Sequence, residues 1–266
     1  MQPGPAGDAS ARPGRPSRPR RWRRPAAVLV LVLAVCGLGA ATRGVLTQVM
    51  PRRFTAAQQR QIQAWEIGRR WRTLPESAIF PAAVSYQLPA EALNGGPSLN
   101  LTARRLGIAA AAGCAEGTDA AAARVLAAYG CTTILRATYA DATGSMLVTV
   151  GVAILPSSAA ATEAGNRLYS PEPQDPHGAV SPAPVAGTLA AGFAGGQRQL
   201  AWDTHAGSYV ILAAAGYSDG QPAEHIAGDP YLLTEMSNLA QGLGDAVSGV
   251  LGKVPPVPTC PGAPGC

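Results

Sequence analysis

The chain has 266 residues, with 21 Lys and Arg against 16 Asp and Glu, a formal charge of +5. That charge is unevenly spread: residues 1–25 carry seven Arg against Asp8, residues 43–72 seven Arg against Glu66, and residues 73–266 seven basic against fourteen acidic groups. The large distal part is therefore acidic and lacks the electrostatic footprint of a nucleic-acid binder, so no nucleic-acid partner is expected.

Residues 1–25 are rich in Pro, Gly and Arg without apolar periodicity, which predicts a disordered basic tail. From Ala26 to Ala41 no charged residue occurs, and as a helix this stretch spans about 24 Å, slightly under the ~30 Å hydrocarbon core. The arginines concentrate before it, so the positive-inside rule predicts a transmembrane helix over 26–42, a cytoplasmic N-terminus and an exported remainder. Trp22, Arg23 and Arg24 stand where interfacial anchors are expected. Two other readings keep the same export. One is a cleaved signal peptide using Gly39 or Ala41, and the other is a lipoprotein signal at Cys36, which Val35 in the preceding position disfavours. A buried soluble helix fits the block of arginines poorly.

After this run, residues 43–75 form a membrane-proximal linker and helix. Thr55 to Gln58 is a capping box opening a helix that runs to about Thr73, before Pro75. Ala64, Ile67, Gly68 and Trp71 repeat at helical spacing and predict a face packed on the domain. The competing expectation places Trp65, Arg69, Arg70, Trp71 and Arg72 at the membrane surface, with lipid as the partner.

Residues 76–253 then read as three passes of strand, strand, helix. The first comprises Ala83 to Leu88, Leu99 to Ile108 and a helix from about Asp119 to Tyr129. The second comprises Thr132 to Tyr139, Met146 to Leu155 and a helix near Ala159 to Leu168. The third comprises Arg198 to Trp202, Tyr209 to Tyr217 and a long helix from Pro230 to Leu251. The two later hairpins look alike, with Asp141 before Gly144-Ser145 and Asp203 before Gly207-Ser208. Val148, Val150, Val152 and Ile154 alternate with Leu147, Thr149, Gly151 and Ala153, so one face of that strand is fully apolar and the other mostly small. In the last helix Leu232, Met236, Leu239, Leu243, Val247 and Val250 step along one face, behind an Asp229 cap and Pro230 at its first position. Tyr169 to Gly187 contains five prolines and no period, and is expected to be a surface loop. Hairpins separated by helices predict α+β architecture, an antiparallel sheet covered by helices.

Of five cysteines, Cys36 lies in the apolar run, leaving Cys114, Cys131, Cys260 and Cys266. Four cysteines in an exported domain predict two disulfides. Cys114 with Cys131 and Cys260 with Cys266 is the favoured pairing, the latter closing a short loop in the Pro/Gly-rich tail 254–266. The first pair closes only if residues 114–118 fold back along the following helix; otherwise one of its cysteines pairs with the tail.

Signals for chemistry fail. Gly216-Tyr-Ser218-Asp-Gly220 matches a nucleophile elbow, but Gln221-Pro222 follows where a helix is needed, and His225 precedes Asp229. His177, His205 and His225 have no metal-ligand spacing. No phosphate-binding glycine loop occurs, and no cofactor is implied.

Arg52-Arg-Phe-Thr55 through Gln58, Trp65-Glu-Ile, Arg70-Trp71, Phe80-Pro81, Gly130-Cys131, Ala137-Thr-Tyr139 and the closing Cys260-Pro-Gly to Gly265-Cys266 resemble an uncharacterised group of single-pass exported membrane proteins of high-GC Gram-positive bacteria. The resemblance covers about residues 20 to 266 and implies topology, but it transfers no functional residue. More loosely, the cysteines around a helix followed by a hairpin look like extracytoplasmic sensor domains of actinobacterial receptor kinases. The resulting expectation is a membrane-anchored binding or sensor module without catalytic activity and with an unidentified ligand. An accessory subunit with an envelope protein as partner comes second, and an exported hydrolase third.

Overall fold

A computed structural model describes residues 23–49, 54–90, 95–169, 178–223 and 230–256 apart from 255. The chain divides into two compact units, residues 1–54 with 258–266, and residues 55–257. In the first unit, α1 (Arg23–Val49) is a continuous helix. Its described side chains, residues 27–43, are all exposed, Val28 to Leu38 among them. Among the described residues no helix is long and apolar enough to cross a membrane.

The second unit is α+β. It begins with α2 (Ala56–Thr73) and the single turn α3 (Glu76–Ile79). The strands are β1 (Ala83–Leu88), β2 (Leu99–Ala112), β3 (Thr133–Ala140), β4 (Met146–Ile154), β5 (Arg198–Ala206) and β6 (Tyr209–Tyr217). Between them lie α4 (Cys114–Gly117), α5 (Ala120–Ala128) and α6 (Ser158–Tyr169), and α7 (Pro230–Gly252) follows β6. All six strands join one antiparallel sheet in the order β1-β2-β3-β4-β6-β5. The hairpin pattern thus gives the predicted neighbours, while the β4–β6 pairing that puts β5 on the edge is a tertiary choice.

Helix α7 packs against both edge strands, β1 and β5, as well as β4 and β6. A flat six-stranded sheet is about 24 Å across at ~4.8 Å per strand, and a helix only ~10–12 Å thick cannot touch both margins. The sheet therefore curls around α7. Glycines permit the close approach: a Cβ on Gly242 would stand 2.6 Å from Tyr86 Cβ, and one on Gly244 would stand 2.0 Å from the Trp202 ring. Met236, Leu239, Leu243, Val247 and Leu251 are fully buried beneath the sheet, with Val148, Val150, Val152, Tyr139 and Ile211 opposite. At ~1.5–3 kcal/mol for each buried apolar side chain, this face is the main source of stability. Asp229 and the Leu232 side chain lie outside the described residues.

The opposite face corrects one expectation. Residues 178–183 of the proline-rich stretch pack against the sheet: Ala179, Val180 and Ala183 are inaccessible or nearly so. The small residues of β4 make room for it, since a Cβ on Gly151 would lie 2.7 Å from a Val180 methyl. Paired Thr138 and Thr149 side chains bind its backbone, Thr138 Oγ1 donating to the Ala183 carbonyl and Ala183 N–H donating to Thr149 Oγ1. Asp119 ties the strap to α5, accepting from Ala122 N–H at 2.8 Å and Ala179 N–H at 3.0 Å while pairing with Arg198. The strap fills a furrow that only the assembled strands create. Strand β5 also runs four residues beyond its predicted end. Asp203 pairs with Leu212 inside the ladder, and the two-residue turn Gly207-Ser208 closes the hairpin with Gly207 at φ 59°, the positive φ such turns require. Asp141, by contrast, does organise its turn, accepting from Thr143 and Met146 N–H groups.

Candidate functional site

The capping box forms as predicted: Gln58 N–H donates to Thr55 Oγ1, and Thr55 N–H donates to Gln58 Oε1 at 2.9 Å. From this start α2 runs across the end of the sheet where β4 leaves and the β5–β6 turn lies. Ile67 and Trp71 pack on the α7-side core. Ile67 sits against Gly207, where a Cβ would come within 2.4 Å of an Ile67 methyl, and Gly68 sits over Ser208. The fully buried Tyr209 hydroxyl enters the last turn of α2, donating to the Ile67 carbonyl and accepting from Trp71 N–H. Burial pushes the Tyr209 phenol up from its ordinary value, and its hydrogen bonds to the Trp71 and Arg70 backbone partly oppose this. Arg70 Nη1 donates to the Val250 carbonyl at the end of α7, at 2.7 Å.

The membrane-interface set therefore divides. Arg70 and Trp71 are half-buried and turned to the domain, so the expectation that both tryptophans share one surface is corrected by packing. Trp65 remains 60% exposed, with the Arg69 guanidinium 4.1 Å over its ring and Arg69 Nε donating to Glu66. Arg72 stacks at 4.6 Å on the outer side of Trp71. Arg23 and Arg24 fall within α1, and Trp22 lies outside the described residues.

Between α2 and the sheet end runs a groove of about 640 Å³. Buried Leu155 and Ser208 and half-buried Ile67 form its floor; exposed Arg60, Trp65, Arg69, Pro156 and Val254 form its walls. A second hollow of about 270 Å³ meets it along Gly68, Arg69, Leu155 and Pro156 and extends to Trp71, Arg72, Gly130 and Thr132. The Cys114–Cys131 disulfide secures that second margin. Helix α4 folds back beside α5 and brings the two Cα atoms to 6.2 Å, meeting the condition that the sequence set for this pair. Cys260 and Cys266 lie outside the described residues.

At the opposite end of β4, the Asp141 turn approaches Tyr86 on β1 and Glu235 on α7. Burial first, then the Glu235 and Asp141 carboxylates, push the Tyr86 phenol up to about 12. Burial first, then Asp141, raises the Glu235 carboxyl. Among the described residues no group of three His, Cys, Asp or Glu gathers to hold a metal. After β6, Ser218 N–H donates to the Ser145 carbonyl and Gly220 closes a turn at φ 84°, so the nucleophile-elbow geometry is not formed.

The sequence singled out Trp65 and Arg69 as membrane-surface residues but not the groove they border or its other wall. Ser157 accepts from Ala160 N–H at 3.1 Å, an N-cap that opens α6 directly after β4; reading that cap would have located the bend carrying Leu155 and Pro156. No family model matches the chain, and no match was found among curated proteins or solved structures.

Proposed function

We propose that this chain is a membrane-anchored extracytoplasmic binding or sensor module without catalytic activity, held by α1 and turning the outer face of α2 to anionic lipid. The observation that carries the reading is the division of α2. Trp65, Arg69 and Arg72 stay outside while Ile67, Arg70 and Trp71 fasten the helix to an otherwise acidic domain, a composition suited to the headgroup boundary. The arginine-flanked, charge-free run in α1, the Cys114–Cys131 disulfide and the resemblance to single-pass exported proteins support the same topology. The charge-free run is somewhat short for a ~30 Å core, so the span uses snorkelling arginines at its ends or a locally thinned bilayer.

Protease added to intact protoplasts should digest the domain from residue 55 onward and leave the N-terminal tail; a protected domain would overturn the topology. The full chain in nanodiscs of zwitterionic lipid should adhere to anionic vesicles at low salt and release them as salt rises, because exposed charges are screened over ~8–10 Å. Replacing Arg69 and Arg72 by Gln should weaken this adhesion. An accessory role in an envelope or secretion complex is the second reading, favoured by the exposed Trp65 and Val254 beside one groove. Crosslinking in the native membrane that captures one protein in fixed ratio would select it.

A further inference from the structure

We infer that the groove between α2 and the sheet end holds one single-chain anionic lipid taken from the bilayer, its alkyl chain along the floor and its head against Arg60 and Arg69. The inference rests on the membrane-facing reading of α2 but adds a ligand to it. At about 640 Å³ the groove lies within the usual range for small-molecule sites, roughly 300–1,000 Å³. Its floor is apolar at Leu155 and Ile67, and Trp65, Pro156 and Val254 extend that surface up the walls. Such a lining gains from covering an alkyl chain, at ~0.8 kcal/mol per buried methylene.

The charge at the same place is one-sided. Arg60 and Arg69 both line the groove, and Glu66, paired with Arg69, is the only acidic residue on α2. Arg60 has no ion-pair partner among the described residues. A carboxylate or phosphate head would supply the missing anion as a charge-assisted hydrogen-bond acceptor. The Trp65 ring, already covered on one side by Arg69, adds a flat apolar face to the same lining. A neutral alkyl ligand would leave the arginines unused, and a free inorganic anion would leave the floor wet, so both halves of the site are used only by a molecule that carries both chemistries.

The test uses the full chain in nanodiscs of zwitterionic lipid, with cis-parinaric acid as a fluorescent fatty-acid probe and Trp65 as the energy donor. Saturable transfer at one probe per chain is expected. A lysophosphatidylglycerol should displace the probe, and inorganic phosphate or a neutral long-chain alcohol should not. Ala64→Phe, at an exposed position on the groove wall, and Val254→Phe should each weaken probe binding at least tenfold while thermal unfolding stays unchanged; Arg60→Gln should weaken it about tenfold. Adhesion to anionic vesicles should survive Ala64→Phe, because the outer arginines remain. Probe binding that is indifferent to both groove-filling variants, or displacement by phosphate alone, would overturn the lipid site and leave the surface reading standing. Loss of vesicle adhesion with retained probe binding would overturn the surface reading instead.

Discussion

Trp65 and Trp71 are less than two turns apart on α2, each carries an arginine over its ring, and they have opposite fates. Trp71 packs on the α7-side core while Trp65 is left 60% exposed. Six positions at 100° each rotate a side chain by about 240° around the helix axis, so one packed face forces the other tryptophan away from it. What selects the buried member is the sheet end: the Gly207 turn accepts Ile67, the Tyr209 hydroxyl binds the Ile67–Trp71 turn, and the α7 terminus accepts Arg70. One helix thus serves as a brace on one side and as an exposed, basic, aromatic surface on the other.

The comparison breaks most severely at Gly207. Replacing it by Val places a branched side chain at φ 59° and drives its Cβ into Ile67; strain and overpacking together should cost about 3–4 kcal/mol in denaturant unfolding. A loss under 1 kcal/mol would show that α2 is not clamped there. Next comes the disulfide: Cys114→Ser with Cys131→Ser should cost about 3 kcal/mol on chain-entropy grounds. The same change should loosen the Gly130–Thr132 margin, read as faster amide exchange in that turn; an unmoved unfolding midpoint would remove the bridge from the account.

Truncating the two tryptophans sharpens the contrast directly. Trp71→Ala should lose about 2 kcal/mol through partial core exposure, while Trp65→Ala should stay within about 0.5 kcal/mol yet reduce vesicle adhesion. Equal stability losses would erase the distinction between the faces. The smallest expected effect is on pH dependence. Burial raises the phenols of Tyr86, Tyr139 and Tyr209, with Tyr86 at about 12. The fold therefore favours the neutral form. Stability should be complete below about pH 10, the unfolded value, and decline as pH rises through the folded value near 12 for Tyr86. Stability that stays level as pH rises from about 10 to about 12 would contradict this. Tyr209→Phe should cost about 1 kcal/mol near neutral pH by leaving the Ile67–Trp71 turn without its hydroxyl.

Local patterns sufficed for the elements whose cause is local. The Thr55–Gln58 box starts α2, Asp119 caps α5, alternation marks β4, and the spacing of Met236, Leu239, Leu243 and Val247 marks α7. Even the Cys114–Cys131 bridge was legible as a condition on residues 114–118. The candidate groove was half-legible, since arginines and tryptophans in α2 announce themselves but the bend at Leu155 and Pro156 depends on a cap that has no apolar signal.

What the sequence by itself determined, then, is the six strands and the longer helices, the α+β class and the separation of a basic, apolar beginning from an acidic domain, because periodicity and charge are properties of neighbouring residues; the short helices α3 and α4 carry too few residues for a period. Tertiary structure alone decided that β5 takes the sheet edge, that α7 meets both margins, that residues 178–183 fill a furrow instead of lying on the surface, and that Trp71 and Arg70 turn inward while Trp65 does not. Each depends on space left by residues far away in the chain, Gly151 for the strap, Gly242 and Gly244 for the sheet margins and Gly207 for α2, and a vacancy of that kind exists only once the distant strands have met.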